Sequence, residues 1–273
     1  MLKDYHQFFP LFSNVVMPIL AGLVFFAMAK YVQRIGPLRT LIAGELTYKG
    51  AYLGFLFLGI YLASRPIQIL FPHPWPLIIN NLREFCMIGV FGPAVFLAVL
   101  SFVFGHDRIS SRVVWGVGGA GFLLALVFVV GNSFAIGGSE AIFHVGRFTA
   151  YDGLWFKNPD LSRRALMPIL FGVRVLDPIL LILVAGGIVL WHGATYPADK
   201  KALYDNMPTK LFFLGAACLA FSLSMLLVGL LFVFARIPNQ WWIYYLGALV
   251  AGMLETLSLA LPMKKHVQVS EHQ

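Results

Sequence analysis

Long apolar runs, each broken by a short polar connection, set the pattern of this chain. Seven of them are long enough to cross a hydrocarbon core of about 30 Å, which takes roughly 20 helical residues. They lie near 12–33, 47–64, 84–105, 113–134, 166–192, 211–235 and 241–262. The runs are continuously apolar and lack the in/out alternation of a lipid-facing strand, so each is expected to be a helix. The expected fold is an all-α polytopic bundle of about seven spans, forming a single membrane domain over residues 1–273.

Two connections break the pattern. Residues 65–82 hold four prolines and Trp75. Proline removes backbone donors and an indole suits the headgroup zone, so this stretch reads as an interfacial or re-entrant loop. Residues 137–165 form the longest connection. Its part from 141 to 156 mixes aromatic residues with His144, Arg147 and Asp152, and is expected to lie on the membrane face. The two segments fall on the same side of the membrane and are expected to cap one end of the bundle together. The phrase Met-Pro-Ile-Leu occurs at 17–20 and again at 167–170. A duplicated half would place related helices in this way, although four matches in an apolar alphabet are weak support.

Composition sharpens the membrane reading. Hydrophobic residues make up 59% of the chain, charged residues 12%, and mean hydropathy is +0.81. A soluble domain carries about 25% charged residues, so too little polar surface exists here to cover a water-soluble globule. The net charge of +8 does not point to nucleic acid. Lys and Arg sit in the short connections, where they act as topology signals. Lys30, Arg34, Arg39, Lys49, Arg108, Arg112, Lys200, Lys201, Lys210, Lys264 and Lys265 flank one side. Lys3, Arg65, Arg83, Arg147, Lys157, Arg163, Arg164 and Arg236 flank the other, which is eleven against eight. The bias favours an outside N-terminus and an inside C-terminus in an inner or plasma membrane. The first residues lack a basic region followed by a short apolar core and cleavage site, so no removable signal peptide is expected. Cys86 and Cys218 fall in spans, outside any CxxC or Cys/His cluster, and indicate neither a disulfide framework nor a zinc site.

Charges inside the apolar runs carry the candidate chemistry, because a charged side chain at the bilayer centre costs about 2.5–3.5 kcal/mol even on lenient scales. Arg174 and Asp177 are three apart, which places them on one helical face as an ion pair. The pair is either structural or lines a polar cavity, and Pro178 beside it is expected to kink the helix. Glu255 lies about 20 Å from the start of the last span at 1.5 Å per residue. It is expected to be either a neutral carboxyl hydrogen-bonded to Ser222, Ser224 or Thr256, or a proton or cation site.

Other motifs are weaker. Haem b needs two imidazoles at one depth on different helices. His106 with His192, and His73 with His144, are the pairs to consider, although all four sit at span ends or in loops. Residues 116–121 match GxGxxG literally, but no strand precedes them, so close helix packing through small residues is the better account. HExxH, GxSxG, CxxC, GxxxxGK[ST] and the paired carboxylates of prenyl transferases are all missing from the sequence. The span count resembles that of rhodopsins and of the sensor regions of some bacterial kinases, in number alone. The last span has no lysine for a Schiff base, and with a dozen residues after Leu261 no attached output domain is expected. The leading expectation is a non-enzymatic accessory or sensing subunit that packs with lipid and other membrane subunits. A small-solute or proton-coupled transporter using Glu255, Arg174 and Asp177 is the alternative. A quinone- or haem-binding anchor of a redox complex comes third.

Overall fold

The computed structural model describes residues 9–135, 138–145, 147–153, 169–170, 172–197, 206–233 and 241–261. Among the described residues, seven helices are long and apolar enough to span a membrane. They are Phe9–Ile35, Glu45–Leu70, Trp75–Phe104, Ser111–Phe134, Gly172–Ala194, Met207–Leu231 and Trp241–Ala260, here the first to seventh spans. The all-α seven-span bundle expected from the hydrophobic pattern is the fold observed.

The proline-rich stretch 65–82 is helical at both ends, which corrects the loop expectation. Helical hydrogen bonds run through Ser64, whose N–H donates to Ile60 O and whose carbonyl accepts from the Gln68 N–H, each at 3.0 Å. Pro76 stands in the first turn of Trp75–Glu84, where a missing N–H leaves no helical bond unmade, whereas Pro66 lies within the continuous second span. The turn between the second and third spans is confined to the four residues 71–74.

Among the described residues, three spans contain a wide π-turn with a proline two residues after its end. The turns are Phe12–Val16, Phe85–Phe91 and Gly172–Leu176, and the prolines are Pro18, Pro93 and Pro178. In the first the Met17 N–H donates to Phe12 O, and in the second the Gly92 N–H donates to Met87 O, both five residues back. A proline ring collides with the carbonyl four residues earlier. Widening the turn by one residue moves that carbonyl aside while keeping the helix continuous, which lipid demands. The two Met-Pro-Ile-Leu phrases are not equivalent in this respect. The first follows its π-turn, whereas the second precedes one, and its Met167 and Pro168 lie outside the described residues.

The third span is central and the fourth peripheral: 61% of the apolar window of the third is buried, against 17% for the fourth. The fourth span docks onto the third through Ala125 and Phe128 against Ile88, with the Phe85 and Phe122 rings edge to face at 5.6 Å. Lipid offers no hydrophobic drive between helices, so close approach through small residues decides which spans pair. The first and second spans cross at Gly22 and Gly59, where a Cβ on Gly22 would stand 3.0 Å from the Gly59 carbonyl oxygen. An aromatic column then links the second, third, sixth and seventh spans. Phe91 meets Phe221 at 5.3 Å, Phe221 meets Tyr244 at 5.6 Å and Tyr244 meets Tyr61 at 6.3 Å.

One end of the bundle carries a β-hairpin, β1 (Ser139–Val145) and β2 (Phe148–Gly153), antiparallel with Glu140 opposite Asp152 and His144 opposite Thr149. A bulge lies between Ala141 and Phe143. β2 packs against Arg65–Leu70 and Trp75–Glu84, so the two segments expected to cap one end together do meet there. This end is called the hairpin end below.

Candidate functional site

The deepest charges are not the three singled out by the hydrophobic pattern. Glu84 is completely buried, and Arg65 and Arg83 are buried beside it. All three precede or adjoin a run that reads as starting at residue 84. Because the third span begins at Trp75, Glu84 sits nine residues inside it, about 14 Å along the helix axis. Arg65 and Arg83 are therefore parts of the bundle interior and not loop charges.

Arg174 pairs with Glu84, its Nη2 lying 2.7 Å from Glu84 Oε1. It does not pair with Asp177 as the three-residue spacing predicts. The π-turn Gly172–Leu176 separates the two, and in a turn that closes over five residues a three-residue step no longer returns to the same face. Arg174 is thereby turned toward the third and seventh spans, with its guanidinium 5.9 Å from the Trp241 ring. Asp177 instead lies where the π-turn passes into the helix Asp177–Ala194, and it is half-buried there. Its Oδ2 is buried without a hydrogen-bond partner among the described residues.

A polar network surrounds the pair. Arg83 Nε donates to Tyr61 O at 2.9 Å, Arg83 Nη1 donates to Gln68 Oε1, and the Arg83 guanidinium stacks 4.5 Å over the Tyr61 ring. Gln68 Nε2 donates to Asn80 Oδ1 at 3.4 Å, and Arg65 Nη2 donates to Asn14 Oδ1 at 3.2 Å. Asn14 lies in the first π-turn, Glu84 abuts the second and Arg174 lies in the third. The Glu84–Arg174 pair thus joins the second and third wide turns, and the first contributes Asn14 to Arg65 on the second span. Neither Glu84 oxygen accepts an aligned hydrogen bond among the described residues, and the Tyr244 hydroxyl is likewise buried without one. Chemically, the cluster holds a carboxylate with acceptor capacity in reserve, bordered by two guanidiniums whose other faces rest on aromatic rings.

Glu255 belongs to a separate site. It is buried in the seventh span, six residues before Leu261, toward the end opposite the hairpin. Trp241, which borders the Arg174 guanidinium, is fourteen residues earlier on the same helix, or about 21 Å along its axis. Arg174 and Glu255 do not share a site. The expected hydroxyl partners of Glu255 are committed elsewhere or turned away. Ser224 Oγ donates to Phe221 O at 2.8 Å, Thr256 Oγ1 donates to Gly252 O at 2.7 Å, and Ser222 Oγ has no partner among the described residues. Gly252 does make room for a neighbour: a Cβ there would stand 3.3 Å from both Met28 Sδ and Phe25 Cζ of the first span. Glu255 lines a cavity of about 80 Å³ between the second, third, sixth and seventh spans, with Thr47, Tyr48, Phe55, Phe102 and Lys210 on its walls.

The remaining candidates are scattered. His73 is exposed in the turn between the second and third spans, and His144 is exposed on β1 with Nδ1 2.9 Å from Thr149 Oγ1. His192 is half-buried and packs edge-on to Tyr196 at 5.8 Å. His106 opens a short 3-10 turn, and its side chain lies outside the described residues. Of the glycines in 116–121, only Gly121 makes a close contact within the chain, against Pro93 and Ile88 O. Gly116, Gly118 and Gly119 face open space, so close packing through this run is observed at one position of the four.

Fold and site together define a multi-pass helical membrane protein with two buried polar centres at opposite ends of one bundle. Comparison with family models, curated proteins and solved structures finds no match to this chain.

Proposed function

We propose that this protein is a non-enzymatic sensing subunit of a membrane assembly, with the hairpin-end polar cluster as the element that changes state. The observation that carries this reading is the buried Glu84–Arg174 pair, which joins two π-turns of different spans. Buried ion pairs contribute little net stability but are well attested as register and switch devices, and π-turns recur at functional positions. A carboxylate with unused acceptor capacity accepts a donor from a ligand or from a shifted neighbour. The spans bearing the two turns then move relative to one another. Exposed apolar faces, above all Leu123, Val127 and Phe134 of the fourth span, carry that motion to lipid or to a partner helix.

A proton-coupled carrier is the second reading, favoured by one observation: Glu255 is buried, lines a cavity and has no hydrogen-bonded partner among the expected hydroxyls. Proteoliposomes carrying a trapped pH dye separate the two. A sensing subunit leaves the dye trace of protein-free vesicles unchanged under an imposed potential. Proton flux in the wild type that disappears in a normally folded Glu255→Gln protein would replace the sensing reading with the carrier.

A further inference from the structure

The cavity at Glu255 has a composition that selects a particular ligand class, whether the protein senses or transports. Its walls are mostly apolar, with the aromatic side chains of Tyr48, Phe55 and Phe102 among them and Glu255 as the sole carboxyl among the described residues. Glu255 is 9% exposed, so its polar group faces the cavity and not bulk water. The remaining polar walls are already engaged. Thr47 Oγ1 donates to Ser101 Oγ at 3.1 Å, and Ser258 Oγ donates to Lys210 O at 2.9 Å. A hard inorganic cation takes six or more oxygen ligands, waters among them, and one carboxyl with three hydroxyls amid apolar walls is a sparse set for that. An ammonium on an apolar body carries three N–H donors, for which the two Glu255 oxygens and the acceptor lone pairs of the Ser258 hydroxyl are on the cavity wall, and its positive charge is further favoured by aromatic faces.

Lys210 is the obvious objection, since a resident cation repels another. Its Nζ, however, donates to Leu261 O at 2.6 Å, beyond the end of the seventh-span helix. Leu261 is six residues past Glu255, about 9 Å further along the axis. The lysine ammonium thus serves a carboxy-terminal carbonyl of that helix. A volume of about 80 Å³ exceeds the share of two water molecules, at about 30 Å³ each. It suits a body of a few carbons. We propose that this cavity is a binding site for a small alkylammonium ion, whose N–H groups donate to Glu255 while its chain lies against Tyr48, Phe55 and Phe102.

Titration calorimetry on the wild-type protein in nanodiscs, with empty nanodiscs subtracted, tests this without any variant. The probes are n-butylamine, n-butanol and sodium butyrate at pH 7. Charge-assisted hydrogen bonding predicts n-butylamine binding at least about tenfold tighter than n-butanol, with butyrate weakest. Glu255→Gln should bring the amine down to the level of the alcohol, and Ala51→Leu, which fills the cavity while leaving the carboxyl in place, should weaken both. Equal binding of amine and alcohol to the wild type, or no saturable amine binding, overturns the proposal. So does amine binding unchanged in either variant. These outcomes stand apart from the fate of the sensing reading, which rests on the other end of the bundle.

Discussion

A carboxylate buried as completely as Glu84 loses its hydration shell, and the desolvation cost runs to several kcal/mol per ion. Arg174 offsets part of that cost at 2.7 Å. Removing one partner therefore strands the other charge in a low-dielectric interior, at about 3–5 kcal/mol, whereas removing both is far milder. Glu84→Ala should lower the detergent melting temperature more than Glu84→Ala/Arg174→Leu does. Equal melting of the single and double variants would mean that the pair does not hold. Asp177→Asn, by contrast, should melt near the wild type, because Asp177 has no guanidinium partner among the described residues. The charges legible in the sequence were those inside unbroken apolar runs, namely Arg174, Asp177 and Glu255. Glu84 and Arg83 escaped because the preceding prolines made the run appear to start at residue 84, so two interior residues read as flanking ones. The partner of Arg174 was likewise hidden, since it comes from a different span and sequence spacing reports only neighbours on one helix.

At the scale of elements, proline and π-turn form a unit that appears three times among the described residues, and two of these turns hold or adjoin the partners of the Glu84–Arg174 pair. Removing the proline and one residue of the turn should convert the third span to plain α-helix. That deletion rotates everything before it by about 100° relative to everything after it. Deleting Val90 together with Pro93→Ala should therefore swing Glu84 away from Arg174 and reduce folded yield more than Pro93→Ala alone. Yield by size-exclusion chromatography reads the difference, and equal yields would mean that the turn does not set the register of Glu84. Hydrophobic pattern predicted helices over all seven spans, because lipid permits little else at that depth. It did not predict the wide turns. Those depend on where a proline ring meets a carbonyl of the preceding turn, and a proline alone is equally compatible with a simple kink. The hairpin, too, was invisible to apolar periodicity, its strands being short and mixed in polarity.

For the whole molecule, burial changes the meaning of several basic residues. Arg65, Arg83 and Lys210 are interior groups, so they drop out of the charge count and the flanking bias becomes ten against six. The bias still favours the hairpin end outside. Reporter fusions after Asn158 and at Gln273 should give opposite signals, and matching signals would contradict the seven-span count between them. The claim that joins all three scales is that the hairpin-end cluster switches between two arrangements. Distances between spin labels at two exposed hairpin-end positions, Ile67→Cys and Phe134→Cys in a Cys86→Ala/Cys218→Ala background, read this directly in lipid vesicles. A switching cluster gives two distance populations whose ratio shifts when Glu84→Gln removes the ion pair while keeping the side-chain shape. One distance distribution, unchanged by Glu84→Gln in a protein that folds normally, would contradict the account.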